Sequence, residues 1–304
     1  MINMKGLVLL LCLFTQIIAQ TSQTRELPHY YIYEGSNNTF VKSYVDLPPN
    51  ARSLSPTFLI DPPTEAFKSH AQSSAQDIII LKFFNDKSDG YYVDLAANHY
   101  EEGSNTYVLD YFNRWKGICV EPNPAYLVGL LSNRKCTVIS SAVSKTDGEE
   151  VIFRFHHTGG LGGMVGEDFD NTGSQPGEDK KVLTTTLTSI LDFAHAPNVM
   201  DYLSLDVEGA EHLVLGGLDH SRYKFMAVTI ERPKHHSQSK AGYRFVYQMA
   251  AFGECIYLHR SKPDYAQLMA QYRQLHTPNW NWEDRPYMMY PKWDEDYKEE
   301  LAFH

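Results

Sequence analysis

The chain is short of positive charge. Its 27 lysines and arginines face 37 aspartates and glutamates, a formal net charge of −10. No block of basic residues appears, and a nucleic-acid backbone needs a basic face, so that class of partner is excluded. Internal repeats are missing too. Beyond the first twenty residues, no stretch is long and apolar enough to span a bilayer. Cysteine is scarce. With Cys12 in the leader, Cys119, Cys136 and Cys255 remain, so at most one disulfide forms within the chain. No CxxC or His–Cys spacing suggests zinc. Cys119 lies in an expected buried strand and reads as a small core hydrophobe. The G-x-G-x-x-G fingerprint is absent, which disfavours a pyrophosphate cofactor.

What is present begins with a leader. Lys5 is the only charge before Arg25, Gly6 to Ile18 is mostly apolar, and Ala19 suits cleavage. Residues 1–20 read as a signal peptide, with a short uncleaved anchor as the alternative. This reading places the protein in the secretory pathway, secreted or in the lumen of the endoplasmic reticulum or Golgi. The glycosylation triplet Asn37-Asn38-Thr39 agrees with such exposure. Residues 21–69, rich in Ser, Thr, Pro and Asn, read as a loosely ordered stalk or arm. Residues 70–262 read as the main domain. Residues 263–304 form an aromatic-rich extension, with Trp280, Trp282, Tyr287, Tyr290, Trp293 and Tyr297. Its rings are expected to pack on the domain; the alternative is a platform for a sugar.

Within the domain, strands and helices alternate. Ile78-Ile79-Ile80-Leu81 falls in an expected helix. Strands are expected at Tyr91 to Leu95, Lys116 to Glu121, Thr137 to Val143, Glu149 to Phe155, Tyr202 to Asp206, Phe225 to Ile230 and Cys255 to His259. Helices are expected at Ser104 to Arg114, Pro124 to Ser132, Thr188 to Ala194, from Ala210 to Leu215, and at Arg244 to Ala251. Thr158 to Asp179 reads as a long polar loop. Such alternation builds an α/β fold, a mostly parallel sheet with helices on both faces.

Four apolar runs end in a carboxylate. They are Tyr91 to Asp94, Ile118 to Glu121, Tyr202 to Asp206 and Val228 to Glu231. In an open α/β sheet, ligands bind beyond the carboxyl ends of the strands, so these acids are expected around one crevice. Asp94 to Asn98 is a strand-to-helix turn with free backbone N–H groups, and Ala96 and Ala97 let a ligand approach the main chain. Glu121 stands where an acid grips ribose hydroxyls. A nucleoside without phosphates fits this set, and S-adenosylmethionine is the obvious one.

These segments resemble the FkbM-type methyltransferase family, whose motifs read V-D-x-G-A-N, E-P-N-P and D-x-E-G-A-E. Here they stand as Val93-Asp94-Leu95-Ala96-Ala97-Asn98, Glu121-Pro122-Asn123-Pro124 and Asp206-Val207-Glu208-Gly209-Ala210-Glu211. Thr184-Thr185-Thr186-Leu187 resembles the family's V-T-T-L stretch. The resemblance covers Tyr91 to Pro233, about half the chain. It implies a Rossmann-like class I methyltransferase fold, S-adenosylmethionine as donor and an oxygen acceptor.

By the same resemblance, Asp94, Ala96 and Asn98 line the methionine end of the donor. Glu121 holds the ribose, Pro122 and Asn123 flank the adenine, and Ser141 and Ala142 lie nearby. Asp206 stands nearest the transferred methyl. Two positions depart from the family. Ala96 replaces a glycine, so its backbone is expected to avoid positive φ. Tyr100 replaces another and is expected to reshape or partly fill the site.

A hydroxyl acceptor needs a base or a metal to lose its proton. Asp206 and Glu208 are the candidates. Glu208 and Glu211, three apart, share a helix face if both are helical. A divalent ion on Asp206, Glu208 and Glu231 is conceivable but not favoured. His156-His157 precede Gly159-Gly160-Leu161-Gly162-Gly163, a loop that could close over the acceptor with His157 as base. The bland reading is a solvated hairpin end. The leading function is O-methylation of a glycan or other small hydroxylated acceptor. The alternative is a non-catalytic binding or trafficking protein on the same fold, as in Star-like proteins.

Overall fold

The computed structural model describes residues 29–35, 38–44, 71, 76–156, 161–172, 176–233, 241–248 and 253–275. The leader, Asn37 of the glycosylation triplet, most of the arm, His157 and the aromatic residues from Trp280 onward lie outside the described residues.

The apolar runs form parallel strands because both of their faces can be buried. β3 (Tyr91–Leu95), β4 (Lys116–Val120), β5 (Thr137–Ser140), β10 (Val199–Leu205) and β11 (Lys224–Glu231) are mutually parallel neighbours. From β3 the chain steps outward through β4 to β5, then returns to lay β10 and β11 on the other side of β3. The direction of winding therefore switches between β3 and β10, and the crevice of such a sheet opens there.

β13 (Glu254–His259) runs antiparallel to β11, and β12 (Tyr243–Gln248) pairs with β13 at the edge. This corrects the expected helix at Arg244 to Ala251. Tyr243 and Phe245 pack with one core cluster while Val246 packs with the other, the two-residue alternation of a strand. Aromatic and branched residues favour that state.

At the opposite edge, β1 (His29–Glu34) lies parallel to β5 and antiparallel to β2 (Thr39–Tyr44). Part of the expected arm is thus a hairpin of the nine-stranded sheet. Tyr31 and Phe40 anchor it on the Phe193 ring, with centroids 4.8 and 4.4 Å away.

Helices cover both faces. α1 (Gln76–Phe83), α2 (Tyr107–Tyr111), α3 (Pro124–Asn133) and α6 (Tyr265–Leu275) contribute to a core with Tyr92, Cys119, Val138 and Tyr202. α4 (Leu187–Phe193) and α5 (Glu211–Gly216) contribute to the other, with Val93, Ile118, Leu203 and Ile230. Thr186 caps α4, accepting from Ser189 N at 3.1 Å, and Asp147 accepts from Thr186 N at 2.6 Å. The threonine-rich stretch is therefore a helix start tied to the loop that holds Asp147, just before the strand Glu150–Phe155.

The expected third strand breaks at Ser141. Its second half, β6 (Ala142–Val143), joins β7 (Glu150–Phe155), β8 (Gly163–Met164) and β9 (Glu178–Thr185) in a four-stranded sheet. The loop expected from Thr158 to Asp179 hence contains β8 and the start of β9. Cys119 and Cys136 form a disulfide, Cα atoms 5.8 Å apart, whereas Cys255 is free and buried. Cys119 is therefore a cross-link and not simply a core hydrophobe. Among the described residues, no helix is long and apolar enough to cross a membrane.

Candidate active site

The carboxyl ends of the five parallel strands lie along one edge of the sheet. Leu95, Ala96, Val120, Pro122, Ser141 and Ala142 form one wall of a crevice. The small sheet supplies the other with Phe153 and the Gly162–Met164 stretch. Val207 closes one end. The cavity is narrow, about 30 Å³. Phe153, Phe155, Met164 and Ala210 form their own apolar cluster there, so the small sheet is packed down on the strand ends.

Glu121 is buried between the two lining residues Val120 and Pro122. Its two oxygens accept from Asn98 N and Asn123 N, each at 2.8 Å. Burial raises its pKa to about 7 against the pull of those amides. One carboxylate thus ties the turn after β3 to the turn after β4. Asn123 is engaged twice: it caps α3 through Ala125 N and donates to His156 O at 3.0 Å. Of the residues expected to hold the donor, Asp94, Asn98, Glu121, Asn123 and Asp206 are not among those lining the crevice, whereas Ala96, Pro122, Ser141 and Ala142 are.

Asp94 is buried, and its carboxylate accepts from Thr106 Oγ1, which in turn accepts from Arg134 at 2.6 Å. Burial pushes the Asp94 carboxyl up, and Arg134 draws it part of the way back.

The turn after β3 corrects one expectation. Ala96 has φ +61° and Asn98 has φ +51°. Ala96 N and Ala97 N both donate to Val120 O, at 3.0 and 3.1 Å, and this double bond to one carbonyl holds the turn in the left-handed region despite the methyl group. Tyr100 is not among the residues lining the crevice. Its ring packs against α3 at Gly129, where a Cβ would lie 2.8 Å from Tyr100 Cδ1.

After β10 the chain turns through Glu208, φ +55°, and Gly209, φ +96°. Two successive left-handed residues make glycine the natural second one. Glu211 braces the turn, accepting from Val207 N and Gly209 N at 3.3 and 3.0 Å. Only Glu211 belongs to α5, so the two glutamates do not share a helix face, as their spacing had suggested. Gly163 of β8 approaches this turn closely: a Cβ there would lie 2.8 Å from Asn171 Nδ2 and 3.1 Å from Glu208 Cβ.

Glu208, Glu231 and Asp170 come together, one oxygen from each within 4.8 Å of the others. Asp206 hydrogen-bonds Glu231, and burial, Glu231, Glu208 and Glu254 all hold its carboxyl well above the usual range. Burial and then Glu231 raise Glu208 to about 8, with Arg232 opposing. Burial raises Glu211 to about 7. Arg232 bridges the cluster from 2.8 Å at Glu231 and 2.9 Å at Asp170.

Asp170, Glu254 and Arg232 were not singled out from the sequence. Arg232 stands beside Glu231 at a strand end, so the rule that picked the acids also reaches it. Glu254 pairs with Glu231 across the antiparallel ladder. Asp170 had no such signal, because a loop of the small sheet delivers it.

The Methyltransferase FkbM domain matches residues 94–261, more than half of the chain. No curated protein matches it. The matched span starts at Asp94 and includes the turn after β3, Glu121, the Asp206–Glu211 turn and Arg232. The chain belongs to the FkbM methyltransferase family.

Proposed function

We propose that the protein is an S-adenosylmethionine-dependent O-methyltransferase of Rossmann-like class I fold, acting on a glycan or other small hydroxylated acceptor in the secretory pathway. The observation that carries this reading is the meeting of two unlike sites at one sheet edge. A crevice with small and apolar walls lies next to a crown of acids, the cluster of Asp170, Glu208 and Glu231. The lining fits a nucleoside, with Ala96, Ala142 and Gly163 for close approach and Pro122, Phe153 and Met164 for a flat ring. The Glu121 carboxylate for ribose hydroxyls stands between the lining residues Val120 and Pro122 in the chain and does not itself line the cavity.

S-adenosylmethionine, when bound, supplies an electrophilic methyl group. Glu121 holds the ribose with the lone pairs its two amide bonds leave, and Ala96 brings the main chain near the methionine end. Burial and the neighbouring acids Glu231 and Glu208 hold the Asp206 carboxyl well above the usual range, which suits its carboxylate to take up a proton. An acceptor hydroxyl would give its proton to that carboxylate as its oxygen took the methyl group and the sulfonium C–S bond broke, leaving S-adenosylhomocysteine. Positioning supplies much of the remaining rate.

The Cys119–Cys136 disulfide supports an oxidising compartment. With labelled donor and a panel of glycans and polyols, Asp206→Asn is expected to lower turnover roughly 10²-fold while donor affinity stays close to that of the wild type. Unchanged turnover in a folded variant contradicts the assignment.

The cavity of about 30 Å³ favours a second reading, a non-catalytic protein on this fold. A nucleoside enters only if β8 lifts from the strand ends.

A further inference from the structure

Arg232 follows Glu231 directly and turns back over it, with φ +39°. Non-glycine residues in that region are uncommon and are held there by surrounding contacts. The contacts are three carboxylates. Arg232 Nη2 lies 2.8 Å from Glu231, 2.9 Å from Asp170 and 3.4 Å from Glu208. One oxygen from each of these acids lies within 4.8 Å of the others. Oxygens no farther apart than that can share one calcium-sized ion, whose bonds are about 2.4 Å long. In this molecule a guanidinium nitrogen bridges the same three groups.

We infer that Arg232 is the resident cation of the Asp170–Glu208–Glu231 cluster, standing where a divalent ion would otherwise be held, and that it makes the site independent of such ions. The difference in charge has a chemical consequence. A guanidinium carries one positive charge, cannot be deprotonated in a protein and donates in fixed directions. It offsets part of the cluster's negative charge and holds the three carboxylates from one nitrogen. A divalent ion would compete for the same oxygens with twice the charge. Arg232 is therefore a positioning residue: it holds three acids together.

The inference concerns the cluster's cation and does not require that methyl transfer occur. Its test reads metal binding on the full chain. Calcium and manganese are titrated by calorimetry into the wild type, Glu208→Gln, Arg232→Met, Arg232→Lys and the double variant Arg232→Met/Glu208→Gln. The wild type is expected to show no cation heat that Glu208→Gln removes. Arg232→Met is expected to gain a cation site, and the double variant to lose it. Arg232→Lys keeps the charge and is expected to gain none. If Arg232→Met is unstable on its own, calcium is expected to raise its melting temperature, and no such rise counts against the inference. A wild type that binds either ion through Glu208, or a folded Arg232→Met that binds neither, overturns it.

Discussion

Two arginines of this chain are set among carboxylates, and they do opposite things. The Arg134 side chain is 0% exposed and every arm is used. It donates to Asp110 at 2.9 Å, Ser104 at 3.0 Å, Tyr92 at 2.9 Å and Thr106 at 2.6 Å. The Arg232 side chain is 40% exposed and faces more acid than it can neutralise. Around Arg134 every group but Asp110 Oδ1 finds a partner, as a buried ion needs in order to persist. Beside Arg232 the Glu208 carboxyl is pushed up to about 8, Asp206 next to the cluster is raised as well, and the backbone is left-handed at Glu208 and Arg232. Uncompensated charge and strain of this kind gather at functional sites. Arg134 is tied to Asp94 through Thr106, and Arg232 lies against the acids of the candidate site.

The sharpest way to break this contrast is to remove the buried cation. Arg134→Met leaves Asp110 and Asp94 without their partner and is expected to cost about 3–5 kcal/mol, read by urea unfolding. Adding Asp110→Asn should recover part of that loss. A variant as stable as the wild type would contradict this role of Arg134.

The acid crown should do the reverse and be a burden as pH rises. Glu208 titrates near 8 in the fold against 4.5 in the free residue, and Glu121 and Glu211 near 7. Between those values the folded chain holds protons that the unfolded chain has released. These three groups therefore lower stability as pH climbs from about 4.5 toward 8. Glu208→Gln removes one titration and is expected to be more stable than the wild type at pH 8 by on the order of 1–2 kcal/mol. Melting curves that rise with pH over that range in the wild type, or an unchanged slope in the variant, contradict the crown as drawn.

The smallest effect belongs to the turn after β3. Ala96→Gly removes the steric cost of positive φ, of which the flexibility of glycine cancels a part, so a gain of about 0.5–1 kcal/mol is expected. A loss of stability would mean the Ala96 methyl packs more usefully than its strain costs.

Much of this site was legible because parallel strands announce themselves. An apolar run that ends at Asp94, Glu121, Asp206 or Glu231 marks both the strand and the edge at which it stops. The order of those runs then brings their ends to one side of the sheet. Ala96 was misjudged because residue preference is local, whereas its φ is set by a carbonyl on the neighbouring strand. β12 was misread because Arg244 to Ala251 carries both periods, and only pairing with β13 selects one. Asp170 was invisible for a related reason: it reaches the crown through the small sheet, whose two-residue β8 leaves almost no pattern. The disulfide was one of three possible pairings of three cysteines, and the adjacency of β4 and β5 selects it.

The central claim is that the crevice beside Glu121 takes a nucleoside donor. It is tested most directly by titrating the purified chain with S-adenosylmethionine and S-adenosylhomocysteine by calorimetry, alongside Glu121→Ala. Saturable binding that weakens at least about tenfold in the variant, a loss of about 1.4 kcal/mol, is the predicted result. No binding at millimolar ligand by a demonstrably folded chain, or equal binding by a folded Glu121→Ala, would contradict it.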